Sequence, residues 1–261
     1  MAFVNMNLYS DVLNMDTDVS LLLPEKRHGA DEYHPDKKYP VVYVLHGYGD
    51  NHTAWIRKSI IEMVARNLEC VVVMPSCRNS FYSEGKNGFD YYHFLTEELP
   101  LKIGNWFPVS NKREDTFIMG NSMGGYGAFM IAMRNPDKYA AAVSFSGVMD
   151  LQMEDQILMD NDPKLRKQVL GAFGSKEEFN PSEYHLHNAA MNLDRYEGEK
   201  PRLFAICGTE DPICYDGNEK FNRFIKENTN LHIKYETSAG GHDFIFWNKY
   251  IDEAFEFFDL K

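Results

Sequence analysis

The chain has little basic charge and no long apolar run. Its 261 residues carry 27 Lys and Arg against 39 Asp and Glu, which gives a formal net charge of −12. Nucleic acids and anionic membranes are bound through basic surfaces, so this balance argues against both as partners. No stretch approaches the roughly 20 consecutive apolar residues that a membrane-spanning helix needs. We therefore expect no nucleic-acid partner and no membrane partner.

Cysteines are also few. Cys70 and Cys207 lie in apolar strand patterns, and Cys77 and Cys214 follow them at a spacing of seven. That spacing does not match a zinc-binding pattern, and a chain of this size needs no disulfide for its stability. The first residues lack the basic start and the apolar run of a signal peptide. We therefore expect no metal, no cofactor and a cytoplasmic location.

The composition is that of a folded protein. Apolar residues make up 44% of the chain and aromatic residues 14%, which excludes a disordered chain. The length suffices for one large α/β domain over residues 1–261, with no need for a second domain. Homo-oligomerisation is left open by these features.

Short apolar runs alternate with helical patterns along the chain. The predicted strands are Phe3–Tyr9, Val19–Leu23, Val41–Leu45, Val71–Met74, Phe117–Met119, Ala141–Phe145, Leu203–Cys207 and Ile233–Glu236. The predicted helices are Ile56–Asn67, Tyr91–Trp106, Tyr126–Met133, Asn218–Glu227 and Lys249–Phe258. This alternation predicts a mostly parallel central sheet covered by helices on both faces. In such a sheet the reacting groups gather beyond the carboxyl ends of the strands.

One segment departs from the alternation. Val148–Pro201 is a polar, helix-prone stretch between two predicted strands, and it is too long for a simple crossover. We expect a lid-like insertion at about residues 148–201 that covers the sheet edge or forms a pocket wall.

The most informative segment is Thr116–Tyr126, which reads Thr-Phe-Ile-Met-Gly-Asn-Ser-Met-Gly-Gly-Tyr. It predicts a buried strand, a sharp turn with Ser122 at its apex, and an apolar helix. Gly120 and Gly124, two positions before and after the serine, allow strand and helix to approach closely while the hydroxyl stays accessible. The five-residue pattern Gly-x-Ser-x-Gly alone is weak evidence for a catalytic serine, and an ordinary strand-to-helix turn is the alternative. Its context favours a nucleophilic serine.

A serine nucleophile needs a base and an acid that orients the base. His242 lies in a glycine-flanked loop after the last predicted strand, where it can reach the sheet edge. Asp211 lies in the loop after the penultimate strand, in Cys-Gly-Thr-Glu-Asp, and its neighbour Glu210 is the rival for the same role. The resulting chain order of Ser122, Asp211 and His242 is one of the known orders of a catalytic triad.

A tetrahedral intermediate also needs two N–H donors for its oxyanion. Met123, which directly follows the serine at the helix start, supplies one candidate. The loop His46-Gly-Tyr-Gly-Asp50, after a predicted strand, supplies the other through the backbone of Tyr48, with Gly47 as the alternative. A glycine-rich turn can instead cradle a phosphate, but the chain contains no phosphate-loop motif.

These motifs together resemble the esterase D family of α/β-hydrolases, which includes S-formylglutathione hydrolases, feruloyl esterases and mycolyltransferase-type antigen 85 proteins. The likeness is greatest to bacterial tributyrin (acetyl) esterases. The segments that carry it are Leu45–Trp55, Gly88–Tyr92, Glu97–Pro100, Gly120–Gly127, Ser144–Gly147, Cys207–Asp211 and Gly241–Phe244. Residues 148–201 carry no matching motif.

The resemblance implies an α/β-hydrolase fold and a serine carboxylesterase that hydrolyses acetyl to butyryl esters, including aryl or sugar acetates, through an acyl-enzyme. A feruloyl esterase, an S-formylglutathione hydrolase-like thioesterase or an acyltransferase would use the same triad, and a non-catalytic binding module is a further alternative. Aromatic side chains near the serine, Phe81, Tyr82, Tyr91 and Trp247, are candidates for the substrate pocket. The alternative for each of these four is packing in the core.

Overall fold

The computed structural model describes residues 1–25, 36–151 and 162–260, and these form an eight-stranded sheet flanked by helices. The strands follow the order β1-β2-β4-β3-β5-β6-β7-β8 across the sheet. Their bounds are β1 Ala2–Ser10, β2 Met15–Leu23, β3 Val41–Leu45, β4 Val71–Pro75, β5 Thr116–Asn121, β6 Ala141–Phe145, β7 Arg202–Gly208 and β8 Ile233–Ser238.

The sheet is mostly parallel. β1 and β2 form an antiparallel hairpin, and β2 pairs antiparallel with β4. All pairs from β4 to β8 are parallel. All eight predicted strands are confirmed. β2 begins four residues earlier than predicted, because the polar stretch from Met15 to Asp18 stays paired with β1 down to Ser10.

Helices cover the sheet between the strands. Their bounds are α1 Ala54–Lys58, α2 Ile61–Ala65, α3 Tyr91–His93, α4 Leu99–Trp106, α5 Met123–Arg134, α6 Pro163–Phe173, α7 Lys176–Phe179, α8 Leu186–Arg195, α9 Tyr215–Asn228, α10 Phe244–Trp247 and α11 Ile251–Phe257. A π-helical turn over Phe94–Glu98 joins α3 to α4, and 3₁₀ turns occupy Arg113–Asp115 and Asn248–Tyr250.

Two of the predicted helices are interrupted. The helix expected over Ile56–Asn67 is divided at Ser59, whose backbone is extended and whose hydroxyl donates to the Trp55 carbonyl at 2.6 Å. This local side-chain hydrogen bond competes with helix continuation. The helix expected over Lys249–Phe258 begins as the 3₁₀ turn Asn248–Tyr250 and continues as α11, and the separate short helix α10 before it is capped by Asp243.

Two apolar layers lie on opposite faces of the sheet. Val41, Tyr43 and Leu45 face one layer, and Val42 and Val44 face the other. All five residues of β3 are buried, which explains the continuously apolar sequence of a parallel strand covered on both sides. Each fully buried valine or leucine contributes on the order of 1.5–3 kcal/mol to folding.

A buried carboxylate fastens the β1–β2 turn to the helical layer. Glu98 accepts hydrogen bonds from the Ser10 hydroxyl and, at 2.8 Å, from the Asp11 N–H, and Lys102 lies 3.1 Å from it. Burial would raise the pKa of this carboxyl, but these donors outweigh burial and lower it. Glu98 is therefore ionised in the folded protein at neutral pH.

The segment between β6 and β7 forms a helical layer beside the sheet edge. Its described part contains α6, α7 and α8, and residues 152–161 of the expected 148–201 insertion lie outside the described residues. The Asp162 carboxylate caps α6 by accepting from the Lys164 and Leu165 N–H groups at 2.9 and 3.0 Å. None of the helices within the described ranges is long and apolar enough to cross a membrane.

Candidate active site

Ser122 occupies a strained turn between β5 and α5. Its backbone has φ 55° and ψ −119°, a conformation that costs a non-glycine residue about 1–3 kcal/mol. The Ser122 N–H donates to the Phe145 carbonyl of β6 at 2.9 Å, which fixes the turn against the sheet. The serine side chain therefore lies at the carboxyl end of β5, at the N-terminus of a buried helix.

The two glycines of the motif allow this turn to form. A Cβ atom on Gly120 would lie 2.5 Å from the carbonyl of Gly124. A Cβ atom on Gly124 would lie 2.4 Å from the Leu45 carbonyl oxygen at the end of β3. At both positions an added Cβ would collide with backbone atoms, so no side chain fits without separating the turn from β3.

His242 and Asp211 meet beyond the ends of β8 and β7. His242 Nδ1 lies 2.7 Å from Asp211 Oδ2, and the other carboxylate oxygen accepts from the Ile213 and Cys214 N–H groups at 2.9 Å each. Burial would raise the Asp211 pKa, but the hydrogen bond from His242 and those from the backbone outweigh it and lower the pKa. The ionised carboxylate therefore keeps the imidazole proton on Nδ1 and leaves Nε2 as a base.

The rival acid does not make this contact. Glu210 is exposed, and its backbone N–H donates to the Gly240 carbonyl at 3.0 Å. Asp211 is only 3% exposed. Of the two predicted acids, it is Asp211 that the structure pairs with His242.

A tryptophan supports the imidazole ring from the side. The Trp247 ring stands edge-on to the His242 ring, with centroids 5.2 Å apart at 84°, and its Nε1–H donates to the Ser146 hydroxyl at 3.0 Å. Ser146 has φ 47°, and its own N–H donates to the Ile206 carbonyl at 2.7 Å. Sequence reasoning assigned no role to Ser146, although it lies in the Ser144–Gly147 segment that carries the family resemblance.

The loop after β3 is fixed by a buried histidine. His46 Nε2 accepts from the Cys77 N–H at 3.0 Å, so the ring proton lies on Nδ1, which donates to the Gly47 carbonyl at 2.8 Å. Burial lowers the His46 pKa, so the ring stays neutral. The Tyr82 hydroxyl donates to the His46 carbonyl. Sequence reasoning treated this histidine only as part of a motif.

The residues predicted to supply the oxyanion donors, Tyr48 and Met123, line the same cavity as Ser122. Tyr48 lies in the loop that His46 fixes. Met123 is the first residue of α5, where a backbone N–H has no partner within the helix. The two residues therefore border one space next to the serine hydroxyl.

Two openings adjoin the serine, and Ser122, Tyr48 and His242 line both. The larger cavity has a volume of about 350 Å³. Its other lining residues are Phe81, Met123, Val148, Met149, Asp150, Leu151, Asp162, Leu165, Val169, Ile213, Cys214 and Gly217. The smaller cleft has a volume of about 260 Å³, and its other lining residues are Gly47, Asp50, Lys58, Asn121, Asp243, Phe244 and Trp247.

Of the four aromatic residues expected at the pocket, two line an opening beside the serine and two lie in the core. Phe81 lines the larger cavity, and Trp247 lines the smaller cleft. Tyr82 and Tyr91 line neither opening, and they are 0% and 1% exposed within the core layer above the sheet. For these two residues the expectation of a pocket wall is corrected to core packing, because both rings belong to the buried layer on one face of the sheet.

Three possible metal ligands lie close together at the acid–base pair. Ligand atoms of Asp211, Cys214 and His242 are all within 4.8 Å of one another. However, Asp211 and His242 already bond to each other, and burial raises the Cys214 pKa well above its ordinary value. A protonated thiol and an occupied carboxylate fit an acid–base pair better than a metal centre.

Known proteins resemble this chain over nearly its whole length. The chain is 30% identical to an acetyl esterase of Caldicellulosiruptor saccharolyticus, over 98% of this chain and 97% of the relative. It is similar in structure to FphF, a fluorophosphonate-binding serine hydrolase of Staphylococcus aureus (TM-score 0.84, 28% identity, 98% of each chain). It is equally similar to the S-formylglutathione hydrolase FrmB of Staphylococcus aureus (TM-score 0.83, 28% identity, 98% of each chain).

The family assignment rests on most of the sequence. A family model described as "Putative esterase" matches residues 10–258. With the parallel sheet and the structural neighbours, this establishes the α/β-hydrolase fold. The chain belongs to this esterase family and is a serine-type carboxylic ester hydrolase.

Proposed function

We propose that the chain hydrolyses short-chain acyl esters, from acetyl to butyryl, through an acyl-enzyme on Ser122. The observation that carries the proposal is the 2.7 Å hydrogen bond between Asp211 and His242, at the edge of the cavity that Ser122 also lines. A serine in a strained turn beside an oriented imidazole is suited to nucleophilic attack on an ester carbonyl.

The reaction runs in two halves. His242 Nε2 takes the proton from Ser122 as the hydroxyl attacks, and Asp211 stabilises the imidazolium that forms. The backbone N–H groups of Tyr48 and Met123 hold the oxyanion. His242 then protonates the leaving alcohol. The same imidazole activates the water that releases the acid.

The larger cavity is the proposed site of the acyl group. Leu165, Val169 and Met149 give it apolar walls, and each buried methylene of an acyl chain contributes about 0.8 kcal/mol. The name of the acetyl esterase relative supports a short acyl group. The four free cysteines support a reducing, cytoplasmic location.

Thioester hydrolysis is a second candidate. The S-formylglutathione hydrolase from Staphylococcus aureus shares 28% identity over 98% of both chains. A thioester would use the same serine, imidazole and oxyanion donors, so the leaving group is what separates the two functions. The charge of the smaller cleft bears on the choice between an ester and a thioester.

The nucleophile is tested with Ser122→Ala and a matched control, Ser144→Ala. Ser144 is buried, and its hydroxyl has no partner among the described residues, so its loss should leave activity nearly unchanged. Ser122→Ala should lower kcat for 4-nitrophenyl acetate by about 10⁴–10⁶-fold and abolish labelling by an organophosphonate. Full turnover by Ser122→Ala would refute the proposal.

The acid is tested by comparing Asp211→Asn with Glu210→Gln. Loss of the Asp211 charge should remove the preference for the productive imidazole tautomer and lower kcat by up to about 10⁴-fold. Glu210→Gln removes a charge from the adjacent exposed residue and should have little effect. The opposite ranking would transfer the role of acid to Glu210.

A further inference from the structure

The smaller cleft carries charged side chains close to the serine. Lys58 forms an ion pair with Asp50, and its ammonium lies 5.8 Å from the centre of the Phe244 ring. Asp243 is exposed, and its carboxylate accepts from the Phe246 N–H at 2.9 Å. Within the described ranges no Lys or Arg forms an ion pair with Asp243. Two carboxylates and one ammonium therefore leave one negative charge in excess.

The larger cavity also holds two carboxylates. Asp162 caps α6, and Asp150 lies 3.7 Å from the Lys220 ammonium. The remaining walls are mostly aliphatic, which suits the hydrocarbon part of an acyl group. An ester bound with its acyl group there can place its alcohol oxygen in the smaller cleft, because Ser122 and His242 line both openings.

We propose that the leaving group of the substrate occupies the smaller cleft, and that the excess negative charge there selects against leaving groups that carry a carboxylate. Asp243 and Lys58 are the residues that set this selectivity, in opposite directions. The inference rests on the proposed ester hydrolysis and narrows its substrate class to esters with neutral or cationic leaving groups. A glutathione thioester, whose leaving group is anionic, is then a poor substrate.

The selectivity follows from like-charge repulsion over a short distance. A carboxylate on the leaving group would lie next to Asp243, and a close contact between two carboxylates is unfavourable. Lys58 offsets the repulsion only in part, because its charge is already paired with Asp50. Salt weakens interactions between charges that are exposed to solvent, so the selectivity should decline as ionic strength rises.

The test uses two acetate esters of nearly the same shape, 4-carboxyphenyl acetate and 4-carbamoylphenyl acetate. The readout is the ratio of kcat/KM for the anionic ester to that for the neutral ester. Asp243→Asn removes the charge but keeps the side-chain acceptor that caps α10. Lys58→Met removes the ammonium and keeps an unbranched side chain. Asp252→Asn, on an exposed residue in the first turn of α11, is the control for the same change in net charge.

We expect Asp243→Asn to raise the ratio about fivefold to tenfold, Lys58→Met to lower it by a similar factor, and Asp252→Asn to leave it unchanged. High salt should bring the ratios of all variants together. If Asp243→Asn does not differ from Asp252→Asn, or if both Asp243→Asn and Lys58→Met shift the ratio in the same direction, the inference is wrong.

A third ester tests which half of the substrate lies in the cleft. 4-Carbamoylphenyl hydrogen succinate carries its carboxylate on the acyl side, so its kcat/KM relative to the neutral acetate should not respond to Asp243→Asn. A response of this ester alone would place the acyl group in the smaller cleft and overturn the proposal. Turnover of the neutral acetate by the unmodified protein tests ester hydrolysis itself, so the two failures remain distinguishable.

Discussion

Replacing Gly124 by alanine should lower the catalytic rate of a protein that still folds. The added methyl group would lie 2.4 Å from the Leu45 carbonyl oxygen and 2.8 Å from that of His46. Both are backbone atoms at the end of β3, so no side chain can move aside. Ordinary van der Waals contact begins near 3.4 Å, and the turn and the β3 loop must therefore separate by roughly 1 Å.

This separation acts on the oxyanion site. Tyr48 lies on the β3 side of the contact and Met123 on the side of α5, so the distance between the two proposed N–H donors grows as the methyl group is accommodated. A misplacement of about 1 Å in a catalytic group can cost about 10²-fold in rate, which corresponds to about 2.7 kcal/mol of transition-state stabilisation. Overpacking should also lower the free energy of unfolding by about 1–3 kcal/mol.

The assay is hydrolysis of 4-nitrophenyl acetate at a temperature well below the unfolding midpoint of the variant, with stability measured by urea denaturation. Gly171→Ala is the control, since Gly171 is also helical and its nearest neighbour is the exposed side chain of Asn87 at 3.3 Å. The control should keep its activity. Gly124→Ala with kcat/KM within about twofold of the unmodified protein would refute the reasoning, since the contact would then not hold the donors in place.

Three other changes probe separate parts of the molecule. Glu98→Gln should lower the free energy of unfolding, measured in urea at neutral pH, by about 1–3 kcal/mol. A carboxyl with a depressed pKa stabilises the fold only while it is ionised, so the difference between variant and unmodified protein should vanish as pH falls through the lowered folded-state pKa. Gly217→Ala should raise the unfolding free energy by about 0.5–1 kcal/mol, because Gly217 is helical and the added Cβ would meet its nearest atoms at an ordinary contact distance of 3.5 Å. Since Gly217 lines the larger cavity, the same change should shorten the longest acyl chain accepted in a series of 4-nitrophenyl esters. Trp247→Phe keeps a ring beside His242 but removes the N–H donated to Ser146, so kcat should fall about tenfold with little change in KM and a shifted pH–rate profile. A wild-type pH profile in that variant would mean that the indole N–H does not position the imidazole.

The sequence was sufficient to predict the sheet and the contact between the Asp211 and His242 loops. Each of these depends on local patterns, namely apolar runs such as Val41–Leu45 and glycines next to Ser122 and His242. Parallel strands place their carboxyl ends at one edge, so the loops that follow them meet there whatever their separation along the chain. The Asp211–His242 contact across 31 positions follows from this rule.

The pocket walls could not be predicted in the same way. Tyr82 and Tyr91 follow Phe81 in the chain, yet of these three residues only Phe81 lines an opening, while the rings of the other two are buried in the core. Ser146 is held to Trp247 across 101 positions by a single hydrogen bond. Such contacts depend on how loops from different strands pack, and no periodicity in the sequence records them.

The two openings beside Ser122 are built by different parts of the chain. The larger cavity takes much of its wall from α6 and from the residues after β6, and the smaller cleft takes its wall from the loops after β3 and β8. Among the described residues they share only Ser122, Tyr48 and His242, and the proposed part of Tyr48 is a backbone N–H that carries no side-chain specificity. Because selectivity for the acyl group and for the leaving group would then rest on separate side chains, a change in one wall alters one half of the substrate range while the reacting groups stay in place.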